Sequence, residues 1–231
     1  MAACAIFFDL DDTLHGYRAC SKAALSEVYA LIRVHYDVPI EELEDNYSVI
    51  LRKAQNLAFV DGRTRQEYIT ERFSTLLKSI GVDNPQLVSE LFQVYSRSLE
   101  QNLKPFPDAE PTLTALHSKY SLYLTTEGPG DAQRKVIEHL GLKQYFTDLF
   151  ISGELKKPKA TGELFTAALE RCGHNPEDAL VVGDSYPRDI QGAIKAGIKG
   201  VWLNKSKEQL PEGSPQPFAQ ISSLEELKFL L

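Results

Sequence analysis

The sequence is poor in cysteine. Its three, Cys4, Cys20 and Cys172, are odd in number, far apart and form no Cys-x-x-Cys pair. That pattern argues against a disulfide framework or a thiolate metal centre and favours reduced thiols in a cytoplasmic protein. Long hydrophobic runs are also missing. The start, MAACAIFFDLDD, has no basic region, and its apolar stretch is too short for a signal peptide or a membrane span. No membrane partner is expected, and the stretch reads as a buried first strand. Nor is there an excess of basic residues. The formal net charge is -7 and the pI about 5.3. An acidic surface repels nucleic-acid backbones, so a DNA or RNA polymer is excluded as the expected partner. A small anionic ligand would need a local cation to offset that field. No internal repeat or low-complexity segment stands out.

The 231 residues, 43% hydrophobic and 25% charged, can bury a core of useful size, as one large domain or a core with an insert. Short apolar runs at 5–9, 120–125, 148–152, 179–183 and 199–203 read as strands buried on both faces. Helical patterns at 108–118, 131–140, 162–172 and 187–196 separate most of them, and this alternation predicts an α/β fold with a parallel sheet. A short strand near 217–221 and a helix over 222–231 close the pattern. Ser222 or Ser223 would cap that helix, with Glu225 or Glu226 as the reciprocal partner. Residues 16–104 differ, because strand-like runs are lacking. Four apolar sets recur at spacings of three and four: Leu25, Val28, Ile32; Tyr47, Ile50, Leu51, Ala54, Leu57; Ile69, Phe73, Leu76, Leu77, Ile80; and Leu87, Leu91, Tyr95, Leu99. They predict four amphipathic helices that pack as a bundle. The segment KPFPDAEP (104–111) breaks them. The predicted organisation is therefore an α/β core of 1–15 and 105–231, interrupted by a helical insert over 16–104.

Carboxylates crowd the predicted strand ends. FFDLDDTL places Asp9, Asp11 and Asp12 directly after the first strand, followed by Thr13. Like charges at that range raise one another's pKa unless a cation joins them. Ligands bind at the C-terminal ends of strands in an open parallel sheet. In VVGDSYPRD, Asp184 follows another buried strand and Asp189 comes five residues later. Hard oxygen ligands around a small site suit Mg²⁺. Thr126 ends the second strand in LTTEGPG, where a hydroxyl and Gly-rich turn amides can hold a phosphate oxygen. ELKKPKATGELF offers Lys156, Lys157 and Lys159 to complete the charge balance.

Together these pieces resemble the haloacid dehalogenase (HAD) superfamily, across essentially the whole chain. The family's motifs, in order, are an Asp-x-Asp-x-Thr strand end, a Ser/Thr strand end, a lysine before a helix and a Gly-Asp-x₄-Asp loop. The resemblance implies a Rossmann-like three-layer core with a helical cap of the first HAD subclass. It implies Asp9 as the nucleophile that forms an aspartyl-phosphate, and Asp11 as the acid and then the base. Mg²⁺ would be held by Asp9, the Asp11 carbonyl and Asp184, supported from behind by Thr13 and Asp189. Thr126, Glu127, Gly128 and the lysine would bind the phosphoryl group. The family's Lys-Pro pair matches Lys157-Pro158. Counting back from Phe165, which anchors the next helix, favours Lys159, with Thr161 as that helix's N-cap. Glu127 departs from the family, which often has Asn there. A carboxylate near a phosphate is unfavourable unless it points away or binds a polar substrate group. Halide needs no proton on leaving, so Asp11 implies an oxygen leaving group and favours phosphatase over dehalogenase.

The expected function is hydrolysis of small phosphomonoesters, a nucleoside 5′-monophosphate or a sugar phosphate. The tail ISSLEELKFLL is similar to those of small 5′-nucleotidases and N-acylneuraminate 9-phosphatases. The alternatives are a phosphomutase of the same fold, or a phosphorylation-sensing module. Receiver domains are about half this length and lack both the Asp-x-Asp-x-Thr spacing and a cap. The partner is expected to be a small phosphorylated metabolite, and the chain a monomer or homodimer. His15, Tyr17 and Arg18 fall at the mouth of the site, where the chain enters the insert. His35, His117, His139 and His174 show no ligand spacing and read as surface or packing residues. Trp202 reads as core.

Overall fold

The computed structural model describes residues 4–54 and 59–231. Among these, six strands form one all-parallel sheet: β1 (Ala5–Phe8), β2 (Ser121–Thr126), β3 (Asp148–Ile151), β4 (Ala179–Gly183), β5 (Lys199–Leu203) and β6 (Ala219–Ile221). Their spatial order is β3-β2-β1-β4-β5-β6, so the winding reverses at β1. Phe8 of β1 is in register with Leu124 on one side and Val182 on the other. The chain therefore leaves β1, β2 and β4 side by side at one edge, which is where ligands bind in such sheets.

The strands are apolar throughout because both sheet faces are covered. Ile6, Phe8, Leu122, Leu124 and Val182 face a layer that includes α5 (Ala109–His117) and α6 (Gly130–His139). Ala5, Phe7, Tyr123, Phe150 and Val181 face α8 (Glu163–Cys172) and α9 (Gln191–Lys195), through Leu164, Phe165, Ala168 and Ala193. Between β1 and α5 lie four helices: α1 (Tyr17–His35), α2 (Ile40–Ala54), α3 (Arg65–Ser79) and α4 (Pro85–Asn102). Their apolar faces meet around fully buried Phe73, Leu76 and Leu91, with Tyr47 and Tyr95 against Phe73. Leu25, Ile50, Leu51 and Ile80 are only partly buried at the margins, and Leu57 lies outside the described residues. Cys20 Sγ donates to the carbonyl of Asn102 at 3.2 Å and joins the first helix to the end of the fourth.

Several elements depart from the sequence pattern. The C-terminal helix is a 3₁₀ helix over Leu224–Phe229, shorter than the expected 222–231. Glu226 accepts from the amides of Ser222 and Ser223, so it, rather than Glu225, makes the reciprocal contact. The expected helix at 187–196 is divided into a π-helical turn, Tyr186–Ile190, and α9. That widened turn swings Asp189 back under β4, where its carboxylate accepts from the Ser185 amide at 2.9 Å. The N-cap of α8 is Gly162 at φ +85°, a left-handed conformation, rather than Thr161. The short turn α7 (Ser152–Leu155) carried no sequence signal.

Candidate active site

β1 delivers Asp9 to the sheet edge, and its amide extends the ladder to the Val182 carbonyl at 2.9 Å. The chain then turns sharply. Asp12 adopts φ +62°, tolerable for Asp, and its amide donates to the His15 carbonyl at 2.7 Å. His15 pairs in turn with Pro105, so the chain entering the four helices is tied to the chain leaving them. Thr13 is fully buried, and its hydroxyl accepts from the Asp184 amide at 3.1 Å. Trp202, buried in the core, donates Nε1–H to the Asp184 carbonyl at 2.8 Å. The β1 and β4 loops are thereby locked to each other.

One cavity is lined by Asp9, Asp11, Thr126, Glu127, Lys159, Asp184, Arg188 and Asp189. Lys159 is buried, and its ammonium donates to Asp9 Oδ1 at 2.5 Å and to Asp189 Oδ1 at 2.6 Å. Lys157 and Lys156 are exposed and stand outside the cavity. Burial opposes the Lys159 charge, but the carboxylates of Asp189 and Asp9 outweigh it and hold its pKa up. Burial pushes Asp9 well above the usual carboxylate range. Lys159 works against that shift, and Asp189 and Asp184 add to it. Asp184 is pushed up to about 6, by burial first and Asp189 second.

Oxygens of Asp9, Asp184 and Asp189 lie within 4.8 Å of one another. Asp9 Oδ2 is buried without a hydrogen-bond partner. Three crowded carboxylates, two of them shifted up and one with an orphaned oxygen, fit a hard divalent cation. The Asp11 carboxylate, in the same cavity, is held by two other side chains. Its Oδ1 accepts from His15 Nε2 at 2.8 Å and its Oδ2 from Gln133 Nε2 at 3.2 Å. Thr126 Oγ1 is buried and unpartnered at the end of β2, available to a ligand.

Of the residues marked in the sequence, Asp9, Asp11, Thr126, Glu127, Lys159, Asp184 and Asp189 meet in this cavity, while Thr13 lies behind it. Gly128 does not line it. Its amide donates to Ser152 Oγ at 3.1 Å, and a Cβ there would collide with Gln133. His15 is fully buried beneath Asp11 rather than open at the mouth, and Arg18 bridges Asp12 and Asp184 at 3.2 and 3.0 Å. Gln133, Ser152 and Arg188 were not singled out from the sequence. Arg188 lay inside the VVGDSYPRD motif, beside Asp189, and that adjacency was the available signal.

The family model for haloacid dehalogenase-like hydrolases matches residues 5–197, and the chain belongs to this family of hydrolases. It is similar to N-acylneuraminate-9-phosphatase of Mus musculus, at 33% identity over 236 residues, covering 98% of this chain and 93% of the relative. It is also similar to the pyrimidine 5′-nucleotidase YjjG of Escherichia coli K12, at 30% identity, covering 98% and 96%. Among solved structures, the magnesium-bound HAD-hydrolase YfnB of Bacillus subtilis superposes with a TM-score of 0.78 at 29% identity, covering 100% of this chain and 99% of that one. Among the described residues, no helix is long and apolar enough to cross a membrane.

Proposed function

We propose that this chain is a Mg²⁺-dependent phosphatase that hydrolyses small phosphomonoesters, a nucleoside 5′-monophosphate or a sugar phosphate, through an aspartyl-phosphate on Asp9. One observation carries the reading. Asp9 has one carboxylate oxygen held by Lys159 and the other buried, unpartnered and facing no protein donor. Asp9 is therefore fixed by Lys159 and still has an oxygen free for a ligand, as a carboxylate nucleophile beside a cation needs.

The ion would be held by Asp9, Asp184 and the Asp11 carbonyl, with Asp189 and Thr13 behind them, and would supply Lewis-acid neutralisation of the phosphoryl charge. In the first half-reaction an Asp9 carboxylate oxygen bonds to phosphorus, the bond from phosphorus to the leaving oxygen breaks, and Asp11 gives that oxygen its proton. In the second, Asp11 takes a proton from water, the water oxygen bonds to phosphorus, and the bond from phosphorus to the Asp9 oxygen breaks to release phosphate and the free carboxylate. His15 and Gln133 hold the Asp11 carboxylate for both transfers. Thr126 and Lys159 bind the transferred group.

The segment 16–104 serves as a cap over the core of 1–15 and 105–231, excluding water and meeting the leaving group. Supporting this, the Arg65 amide at the start of α3 donates to Asp131 at 3.2 Å, at the start of α6 beside the cavity. The names of the similar phosphatases and nucleotidase agree with a small phosphorylated substrate.

The test is turnover of p-nitrophenyl phosphate with Mg²⁺, followed by the same assay in excess EDTA. Activity that needs the ion, and that Ca²⁺ inhibits, supports the reading. Full activity in EDTA would sink the metal assignment, and no turnover of any phosphomonoester would sink the phosphatase.

A further inference from the structure

The cavity holds five carboxylates, Asp9, Asp11, Glu127, Asp184 and Asp189, against two cations, Lys159 and Arg188. Lys159 is already engaged by two carboxylates, at 2.5 and 2.6 Å. An incoming phosphate dianion therefore meets a lysine whose charge is shared twice over. Arg188 stands differently. Its Nε donates to Ser185 Oγ at 3.1 Å, which anchors the base of the guanidinium to the β4 loop. Its Nη1 lies 3.7 Å from Glu127 Oε2, an ion pair beyond hydrogen-bonding distance. Glu127 thus orients the guanidinium without saturating it. The Arg188 side chain is 49% exposed, whereas Glu127 is nearly enclosed at 9%. The other oxygen of Glu127 accepts from the Lys159 backbone amide at 2.8 Å, which fixes the carboxylate in place beside Arg188.

Resting on the phosphatase reading above, we propose that Arg188 is a phosphate-binding residue, giving its guanidinium to a non-bridging oxygen of the phosphoryl group. Glu127 is the counter-charge that holds Arg188 at the cavity until substrate arrives. The Glu127 carboxylate, unfavourable beside a phosphate on its own, is balanced by this arginine. A planar fork of N–H donors suits a phosphoryl group better than a point charge, and it is less costly to keep part-exposed beside a carboxylate. The position follows from the π-helical turn, which places Arg188 on the cavity side while Asp189 turns under β4.

The experiment measures binding of inorganic phosphate to the full chain in Mg²⁺ by calorimetry, for wild type, Arg188→Gln, Arg188→Lys and Arg188→Ala. Arg188→Gln is expected to weaken phosphate by about 10–100-fold, with Arg188→Lys between it and wild type. Added guanidinium ion is expected to restore part of the phosphate affinity of Arg188→Ala, a result that a merely structural role would not produce. Phosphate affinity of Arg188→Gln within about twofold of wild type, or no recovery of Arg188→Ala by guanidinium, would overturn the assignment. If Arg188→Gln and Arg188→Ala do not fold, Arg188→Lys decides: unchanged phosphate affinity there overturns it, and weakened affinity with an intact thermal transition supports it. Failure of the wild-type chain itself to bind phosphate in Mg²⁺ would overturn this assignment, whereas the phosphatase reading falls only if no phosphomonoester is turned over.

Discussion

The edge of the sheet and the four-helix segment are built on opposite principles. In the helices, local and global demands agree. Thr64 and Glu67 form a reciprocal capping box at the start of α3, and Asn84 caps α4 ahead of Pro85 at its first position. Aromatic rings of Tyr29, Tyr47, Phe73 and Tyr95 meet edge-on or tilted in a continuous chain with centroids 5.6–6.3 Å apart. At the sheet edge, by contrast, carboxylates are buried together and left short of partners. Asp9 Oδ2, His15 Nδ1, Thr126 Oγ1 and Gln133 Oε1 account for four of the six buried side-chain atoms without a partner among the described residues. A buried polar atom without a partner costs free energy, so their concentration at one edge marks a place for a ligand.

The sharpest way to break this contrast is at Asp9. Asp9→Asn is expected to abolish turnover, by about 10⁴-fold or more, with no acid-stable phosphoenzyme and a normal cooperative unfolding transition. Steady-state hydrolysis by that variant at more than about a hundredth of the wild-type rate would remove the nucleophile from its assigned place. In the helices the expectation is reversed. Phe73→Ala opens a cavity in a fully buried cluster and should lower stability by about 3–5 kcal/mol, while Mg²⁺ affinity of the folded fraction stays as in wild type. Calorimetry and a metal titration check both halves, and a large loss of metal affinity would show that the two regions are not separable.

Lysine substitutions divide the sheet edge itself. Lys159→Ala should lose about 2–4 kcal/mol of transition-state stabilisation, whereas exposed Lys157→Ala should stay within roughly 0.5 kcal/mol in stability and retain activity. Steady-state kinetics of the two variants rank them, and the reverse order would move the motif to Lys157. Without Lys159, Asp9 and Asp189 lose their shared cation, so Mg²⁺ should raise the melting temperature of Lys159→Ala more than that of wild type.

The smallest effect is expected near the entry to α3. Asp61 accepts from Tyr68 and from Arg63, at 2.8 Å in the latter pair, and is held down at about 2. Its folded pKa is lower than its unfolded one, so the contribution is present above the ordinary aspartate range and fades as pH falls toward 2. The melting-temperature gap between wild type and Asp61→Asn should therefore narrow as pH falls from 6 to 3. A gap that widens would contradict the sign.

The amphipathic spacing of three and four is a local property, and so is a buried strand bounded by turns. The five apolar runs and the four helical faces were therefore readable, with small shifts at their ends. Asp9, Thr126 and Asp184 were readable for the same reason, since each follows a strand whose exit direction is set by the sheet. Lys159 could be counted back from Phe165 because that phenylalanine must anchor α8 to the core, and it is fully buried. Other features could not be read in this way. The Gln133–Asp11 contact spans 122 residues and the Gly128–Ser152 contact spans 24, and neither has a local pattern. The C-terminal segment tightened into a 3₁₀ helix, and the 187–196 segment opened with a π turn. In both cases side chains from elsewhere, Asp108 at the Leu224 amide and Lys159 at Asp189, hold the chain in its final course.

Glu127 shows where the division falls. The sequence by itself determined that a carboxylate stands where a phosphate site disfavours one, and that an arginine precedes Asp189 sixty-one residues later. Only the tertiary structure decided that these two residues face each other across one cavity, with the Lys159 amide on the same carboxylate. The physical reason is that helix and strand propensities act over a few residues. A charge is made tolerable only by whatever the folded chain brings within a few ångströms of it, and the order of strands in the sheet sets that neighbourhood.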